Sequence, residues 1–368
     1  MSTSSHPVNE PVLSYAPGSS ETIKLQAELE VQMNSVIEIP CIINGKEVFT
    51  GNTVKQVIPH NHGHILANVH LAGKAEMEAA CEAAVEAQKE WIDIGLEERC
   101  AIFERCADML AGEWRMKINA ATMLNQSKTC FQAEIDAACE LIDFWRFNCH
   151  YARGFHDDLQ PLVSPTGVKN TTEIRPLEGF ILAITPFNFS SIAANLASAP
   201  AIVGCTAVWK PSRNSYYSNY LLMQLMMEAG LPQGVINFVP GSGAEITEVA
   251  LSNPDFAGVH FTGSTNVFQG LWQRIAKALP DLKGYPRIVG ETGGKDFVVA
   301  HPNCDENGLI VALIRGSFEF QGQKCSAASR AYVPTTVWDS ISEELCSEIS
   351  KIKMGDASDF SNFMTAVI

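Results

Sequence analysis

The stretch QGQKCSAASR, residues 321–330, sets Cys325 between Lys324 and Ser326. A structural cysteine usually keeps apolar neighbours and behaves as a small hydrophobe. Flanked instead by groups that hydrogen-bond or carry charge, this thiol reads as displayed, and a displayed thiol can attack a carbonyl carbon; the plain alternative is an incidental cysteine in a polar loop. Asn188, in TPFNFS at 185–190, stands in a turn between a strand-like run and a helix of small residues. Its amide can donate to a developing oxyanion, or serve only as a turn residue or helix cap. Glu291 sits among glycines in GETGGKD, 290–296, a loop free to hold a carboxylate over a pocket, where it could activate water, or an ordinary surface loop.

A second group of motifs suits phosphate and ribose. FTGST, 261–265, joins an apolar strand to the start of a helix, where free N–H groups, the close approach that Gly263 permits and the Ser264 hydroxyl could seat a pyrophosphate. An ordinary Ser/Thr helix cap reads the same way. WKPS, 209–212, ends another strand with Lys210 held extended by the proline behind it, in reach of a ribose hydroxyl or merely solvated. GSG at 241–243 begins like a dinucleotide fingerprint but lacks its third glycine, position 246 being Ile. PHNHGH brings His60, His62 and His64 close together; with no further ligand at metal spacing, it reads as a polar turn, and no metal is expected.

These residues need elements to position them. From Lys74 to Ala152 apolar residues recur three and four apart, predicting an all-helical block. The Pro/Gly/Ser-containing stretch 154–167 separates it from the rest of the chain, and residues 1–38, polar and acidic, read as a surface arm. IPCIINGKEVFTG predicts a hairpin turning at Asn44-Gly45. Beyond Thr172 short apolar strands alternate with helices, the pattern of β-α-β units in an open parallel sheet. Ligands of such sheets lie beyond the carboxyl ends of the strands, which is where Asn188, Lys210, Gly241 and Gly263 fall.

The chain of 368 residues is 46% hydrophobic and 18% charged, enough for a large core and two domains. Its net charge of −15, with no basic patch, disfavours nucleic acid as a partner. Eleven cysteines without a C-x-x-C pair suggest neither disulfides nor a zinc ribbon, so a reducing compartment is expected. No apolar run is long enough to cross a bilayer, so no membrane partner is expected. The cytoplasm is the expected location, or the mitochondrial matrix if the source is eukaryotic and the transit peptide is absent from the sequence.

Asn188 in PFNF, Lys210 in WKPS, the FTGS turn, Glu291 in GETGGK and Cys325 in GQKCS, in that order and with Cys325 34 positions after Glu291, together resemble the aldehyde dehydrogenase superfamily. NEPVLSYAPGS, QAEIDAACELIDFWRFN, PFNFSSIAANLASAPA and FEFQGQKCSA look like its 1-pyrroline-5-carboxylate dehydrogenase branch. The resemblance implies an α/β fold: an open parallel-sheet NAD-binding domain with a helical N-terminal block over 39–290, followed by an incomplete α/β catalytic domain over 291–368. It implies that Cys325 is the nucleophile, that Asn188 with the Cys325 N–H forms the oxyanion hole, and that Glu291 is the general base. NAD would be held by Thr185, Lys210, Gly263, Ser264, Thr265, Asn266 and Val267, and the substrate by Ser326 and Glu140. The reaction implied is oxidation of L-glutamate 5-semialdehyde to L-glutamate in proline degradation; the alternatives are another short aldehyde acid, or an inactive cofactor-binding module. Family members extend past the position of Ile368, so the chain is expected to be C-terminally truncated, and a full-length form to be a homo-oligomer.

Overall fold

The computed structural model describes residues 6–161 and 163–368. In chain order the elements are α1 (Ser20–Met33), β1 (Ile37–Ile39), β2 (Cys41–Ile43), β3 (Lys46–Val48), β4 (Thr53–Ile58), β5 (Asn61–His70), α2 (Lys74–Asp93), α3 (Leu96–Ala111), α4 (Arg115–Gln126), α5 (Cys130–Ala133) and α6 (Glu140–Asp158). There follow β6 (Phe180–Ile184), α7 (Ser190–Ile202), β7 (Thr206–Lys210), α8 (Tyr216–Glu228), β8 (Ile236–Phe238), α9 (Gly243–Ser252), β9 (Phe256–Thr262) and α10 (Thr265–Ala278). The last are β10 (Arg287–Glu291), β11 (Phe297–Val299), α11 (Glu306–Phe318), β12 (Arg330–Tyr332) and α12 (Thr335–Ser350).

A seven-stranded sheet in the order β10-β9-β6-β7-β8-β2-β3 organises the chain, parallel from β10 to β8 and antiparallel through β2 and β3. Its central strands are apolar throughout because both faces are covered. Phe180, Leu182, Ile184 and Val208 face a core completed by α2, α9 and α10, while Ala183, Ala207 and Trp209 face one completed by the helical block, α7 and α8. From β6 the chain winds one way through β7 and β8, then crosses back to lay β9 on the other side of β6. Between the carboxyl ends of β6 and β9 a crevice opens, the place where ligands of such sheets bind. Two smaller sheets, β1-β5-β4 and β11-β12, complete the strands described, and α11 packs on α12 through Leu309, Leu313, Val337 and Ile341.

The expected hairpin is β2-β3, turning at Asn44 (φ 51°) and Gly45 (φ 69°). Several local expectations need correction. Residues 1–5 of the expected surface arm lie outside the described residues; in the rest, α1 buries Leu25 and Leu29 in the main core, and Tyr15 is buried beside it. The polar composition concealed this because α1 shows only a narrow apolar stripe. The helix read through AEIDAACELIDFWRF is interrupted by a π-helical segment, Glu134–Cys139. α6 continues to Asp158, so the separator begins later than residue 154. Glu291 is the last residue of β10 and not part of a free loop. In the histidine run only His60 lies in the turn, its ring bonded to Ser127 Oγ at 2.8 Å and Asp356 Oδ1 at 3.2 Å, whereas His62 and His64 belong to β5.

Candidate active site

Five of the expected site residues stand at or just beyond carboxyl ends of adjacent strands: Thr185 and Asn188 after β6, Lys210 ending β7, Gly263 after β9 and Glu291 ending β10. The loop that carries Asn188 is clamped by the buried Gln126 at the end of α4, whose amide donates to Phe187 O (2.8 Å) and accepts from Ser190 Oγ (3.3 Å). Thr185 is buried, and its hydroxyl oxygen accepts from Trp209 Nε1 at 3.0 Å. Cys325 stands on the turn after α11.

That turn is tightly held. Phe320 and Gln321 are non-glycine residues in the left-handed region, at φ 50° and 56°, a conformation that persists only where the surroundings impose it. Phe320 is buried; the Gln321 amide donates to Thr365 Oγ1 (3.2 Å) and Ala366 O (2.7 Å), and Gln323 Oε1 accepts from Ile368 N (3.0 Å). Gly294 lies against the turn so closely that a Cβ there would come within 1.8 Å of Cys325 O. This is the physical need behind a glycine of GETGGKD.

Cys325 borders two cavities. One, of about 540 Å³, is also lined by Thr185, Asn188, Gly263, Ser264 and Val267. The other, of about 470 Å³, is also lined by Glu140, Phe189, His260, Glu291 and Ser326. Asn188 Nδ2 donates one hydrogen to Gln323 O at 2.9 Å, leaving its second for a ligand. Ser264 is the N-cap of α10, its hydroxyl accepting from Val267 N at 3.5 Å; the cap reading is thus realised, and the backbone of the turn still faces the first cavity. A Cβ on Gly263 would meet the Phe261 ring at 2.7 Å. Thr265 and Asn266, in the exposed first turn of α10, line neither cavity, and nor does Lys210. The Lys210 ammonium instead turns toward Gly243 at the start of α9, where a Cβ would lie 3.8 Å from Nζ, so WKPS and GSG converge on one spot.

The charges follow from burial. The half-buried Cys325 thiol is pushed up by desolvation and then by the charge and hydrogen bond of the Glu291 carboxylate, partly offset by the backbone N–H groups of Cys325 and Ser326. Desolvation lowers Lys210 to about 8. Glu140 is raised by burial first and by the charge of Asp136, against the hydrogen bond it accepts from Ser191 Oγ at 2.5 Å and the charges of Lys128 and Lys324. Lys128 is a site neighbour that no motif in the sequence marks. It is wholly buried, donates to Asp136 Oδ2 at 2.7 Å, and lies against the Phe320 ring of the turn that carries Cys325.

An aldehyde dehydrogenase family model matches residues 49–368. Among similar proteins, the delta-1-pyrroline-5-carboxylate dehydrogenase of Agaricus bisporus is 49% identical, with 98% of this chain and 66% of that protein covered. The mitochondrial enzyme of that name from Homo sapiens is 44% identical, with 98% and 64% covered. The crystal structure of the delta-pyrroline-5-carboxylate dehydrogenase from Mycobacterium tuberculosis bound with NAD superposes with a TM-score of 0.96 at 49% identity, covering 98% of this chain and 68% of that one. The chain spans slightly less than two thirds of the length of these curated relatives.

Proposed function

The chain belongs to the aldehyde dehydrogenase family, and from that premise we propose that it serves the NAD-dependent oxidation of L-glutamate 5-semialdehyde, the open form of 1-pyrroline-5-carboxylate, to L-glutamate in proline degradation. The observation that carries the reading is Cys325 on the wall shared by the two cavities, with Asn188 in one and Glu291 in the other. The first cavity fits a dinucleotide: it opens at the crevice between β6 and β9 and faces the N-terminal turn of α10, while Lys210, an ammonium with no carboxylate partner among the described residues, ends the neighbouring strand β7. When bound, NAD supplies the hydride acceptor.

The residues of the chain do the rest. The Cys325 thiolate adds to the aldehyde carbon, and the alkoxide that forms is met by the Asn188 amide and the Cys325 N–H, donors fixed before the charge develops. Loss of hydride leaves a thioester on Cys325. Glu291, beside the sulfur, takes a proton from the water that hydrolyses it. Ser326 donates to the substrate carboxylate, and Glu140, held by Ser191, borders the same cavity. Thr185, Lys210 and the turn from Gly263 and Ser264 through Thr265, Asn266 and Val267 hold the cofactor. In this reading residues 39–290 form the cofactor-binding unit, 291–368 begin the catalytic unit, 1–38 are an N-terminal arm whose helix α1 packs into the main core, and the natural protein is a homo-oligomer. Relatives from Dictyostelium discoideum and Homo sapiens are named as mitochondrial, which supports the matrix for a eukaryotic source and the cytoplasm otherwise. No helix among the described residues is long and apolar enough to cross a membrane.

NADH formation from glutamate semialdehyde by the natural protein tests the reading, with Cys325→Ala expected to abolish it and leave NAD binding intact. Equal rates on an aliphatic aldehyde without a carboxylate would favour a different substrate. NAD binding without turnover on either would favour a cofactor-binding module.

A further inference from the structure

Below the nucleophile turn lies a charge cluster that the proposed reaction does not use. Lys128, from the loop between α4 and α5, has no solvent exposure, and its ammonium donates to Asp136 Oδ2 at 2.7 Å. Asp136 belongs to the π-helical segment Glu134–Cys139, a rare backbone form that is found at functional sites. The same carboxylate oxygen is 3.3 Å from the ammonium of Lys324, the residue before Cys325, and Lys324 is also 3.3 Å from Glu319 Oε2. Lys128 touches the turn a second time through rings: its ammonium lies 4.2 Å from the centre of Phe189, next to Asn188, and 4.6 Å from that of Phe320. Phe320 is one of the two left-handed residues that shape the turn. A buried lysine costs a great deal unless it is paired, and nothing in the core packing of α4 and α5 calls for one here. What the pair does achieve is a fixed floor in contact with both loops of the reacting centre.

We infer that Lys128 and Asp136 form a positioning unit that sets Cys325 against Asn188, Asp136 acting through Lys324 and Lys128 through the two rings. The inference rests on Cys325 being the nucleophile, and neither residue touches substrate or cofactor.

Asp136→Asn alone would strand a buried ammonium and could prevent folding, so the test uses the doubly neutralised variant Lys128→Met/Asp136→Asn, which removes both buried charges together. Lys324→Met, at the half-buried end of the contact, leaves the buried pair whole and serves as the second variant. In the natural protein each is expected to lower kcat about tenfold, as small misplacements of reacting groups do, with the melting temperature nearly unchanged and, for the doubly neutralised variant, KM for NAD nearly unchanged as well. Combining them should cost little more than the doubly neutralised variant alone, because that variant already removes the contact between Asp136 and Lys324. Alkylation of Cys325 by iodoacetamide, followed by peptide mass spectrometry, should become faster as the thiol is released from its seat, while the buried Cys106 stays unlabelled. Losses that multiply in the combined variant, or unchanged kcat and labelling, would overturn the inference. If the wild-type protein does not oxidise the semialdehyde, the functional reading fails on its own, and the labelling cycle, which needs no substrate, still decides whether the unit positions Cys325.

Discussion

Glu291 acts on Cys325 in two opposed ways. Before substrate arrives its charge and hydrogen bond, together with burial, hold the thiol above its ordinary range, so less of it is thiolate at neutral pH. In the proposed reaction the same carboxylate is the base that removes the thioester once it has formed. Glu291→Gln separates the two roles. Without the carboxylate the folded pKa of Cys325 falls, its thiolate fraction at pH 7 rises, and iodoacetamide should label it faster, with the midpoint of the labelling profile moved to lower pH. Turnover should move the other way, as a burst of NADH followed by a slow steady rate. Labelling that slows or stays constant would show that Glu291 does not control the thiol.

At the scale of elements, the site is a meeting of the carboxyl end of β10 with the turn after α11, and Gly294 is where the two backbones touch. With its Cβ due 1.8 Å from Cys325 O, Gly294→Ala must push the nucleophile turn aside. Gly294 is exposed and its φ is not in the left-handed region, so the cost comes from the backbone clash and not from the conformation of residue 294 itself. We expect turnover to fall about tenfold or more and the melting temperature to drop as well, whereas Gly293→Ala, which meets nothing within 4 Å, should leave the melting temperature unchanged, measured by steady-state kinetics and thermal unfolding. The sequence made much of this legible. Asn188, Lys210 and Gly263 follow apolar runs whose residues point to both faces of a covered sheet, so strand ends could be read directly. Glu291 was less readable because β10, with only β9 beside it, is largely exposed and RIVGE carries no strong pattern. Lys128 and Asp136 were invisible for a different reason. Neither lies in a motif that the sequence pattern picks out, and Asp136 is buried on a π-helical segment that no periodicity announces. Gln126 was hidden likewise, since a glutamine at a helix end gives no hint that it grips a loop 61 residues on.

Across the whole molecule, burial is uneven. The sheet from β9 to β2 is enclosed, whereas Val289 of β10, Phe297 and Val299 of β11 and Tyr332 of β12 are exposed, and β10 and the β11-β12 pair offer open strand edges. Exposed apolar edges invite pairing with other chains. The 368-residue chain purified alone should therefore self-associate and bind an apolar dye, and Phe297→Ser/Val299→Thr should reduce both with little change in melting temperature. Light scattering against time checks it; undiminished scattering in the variant would place the sticky surface elsewhere.

The return of the chain to lay β9 beside β6 also has a consequence in time. β6 leaves the ribosome well before β9, and at about 5–20 residues per second several seconds separate them. During that interval β6 has β7 for a neighbour on one side and an open edge on the other. The crevice does not yet exist, so no nucleotide can steady the nascent chain. Cys325 emerges later still, after the walls that will surround it. Assembly therefore runs in a fixed sequence, cradle first and thiol last, and the sulfur proposed to react enters a pocket already built to receive it.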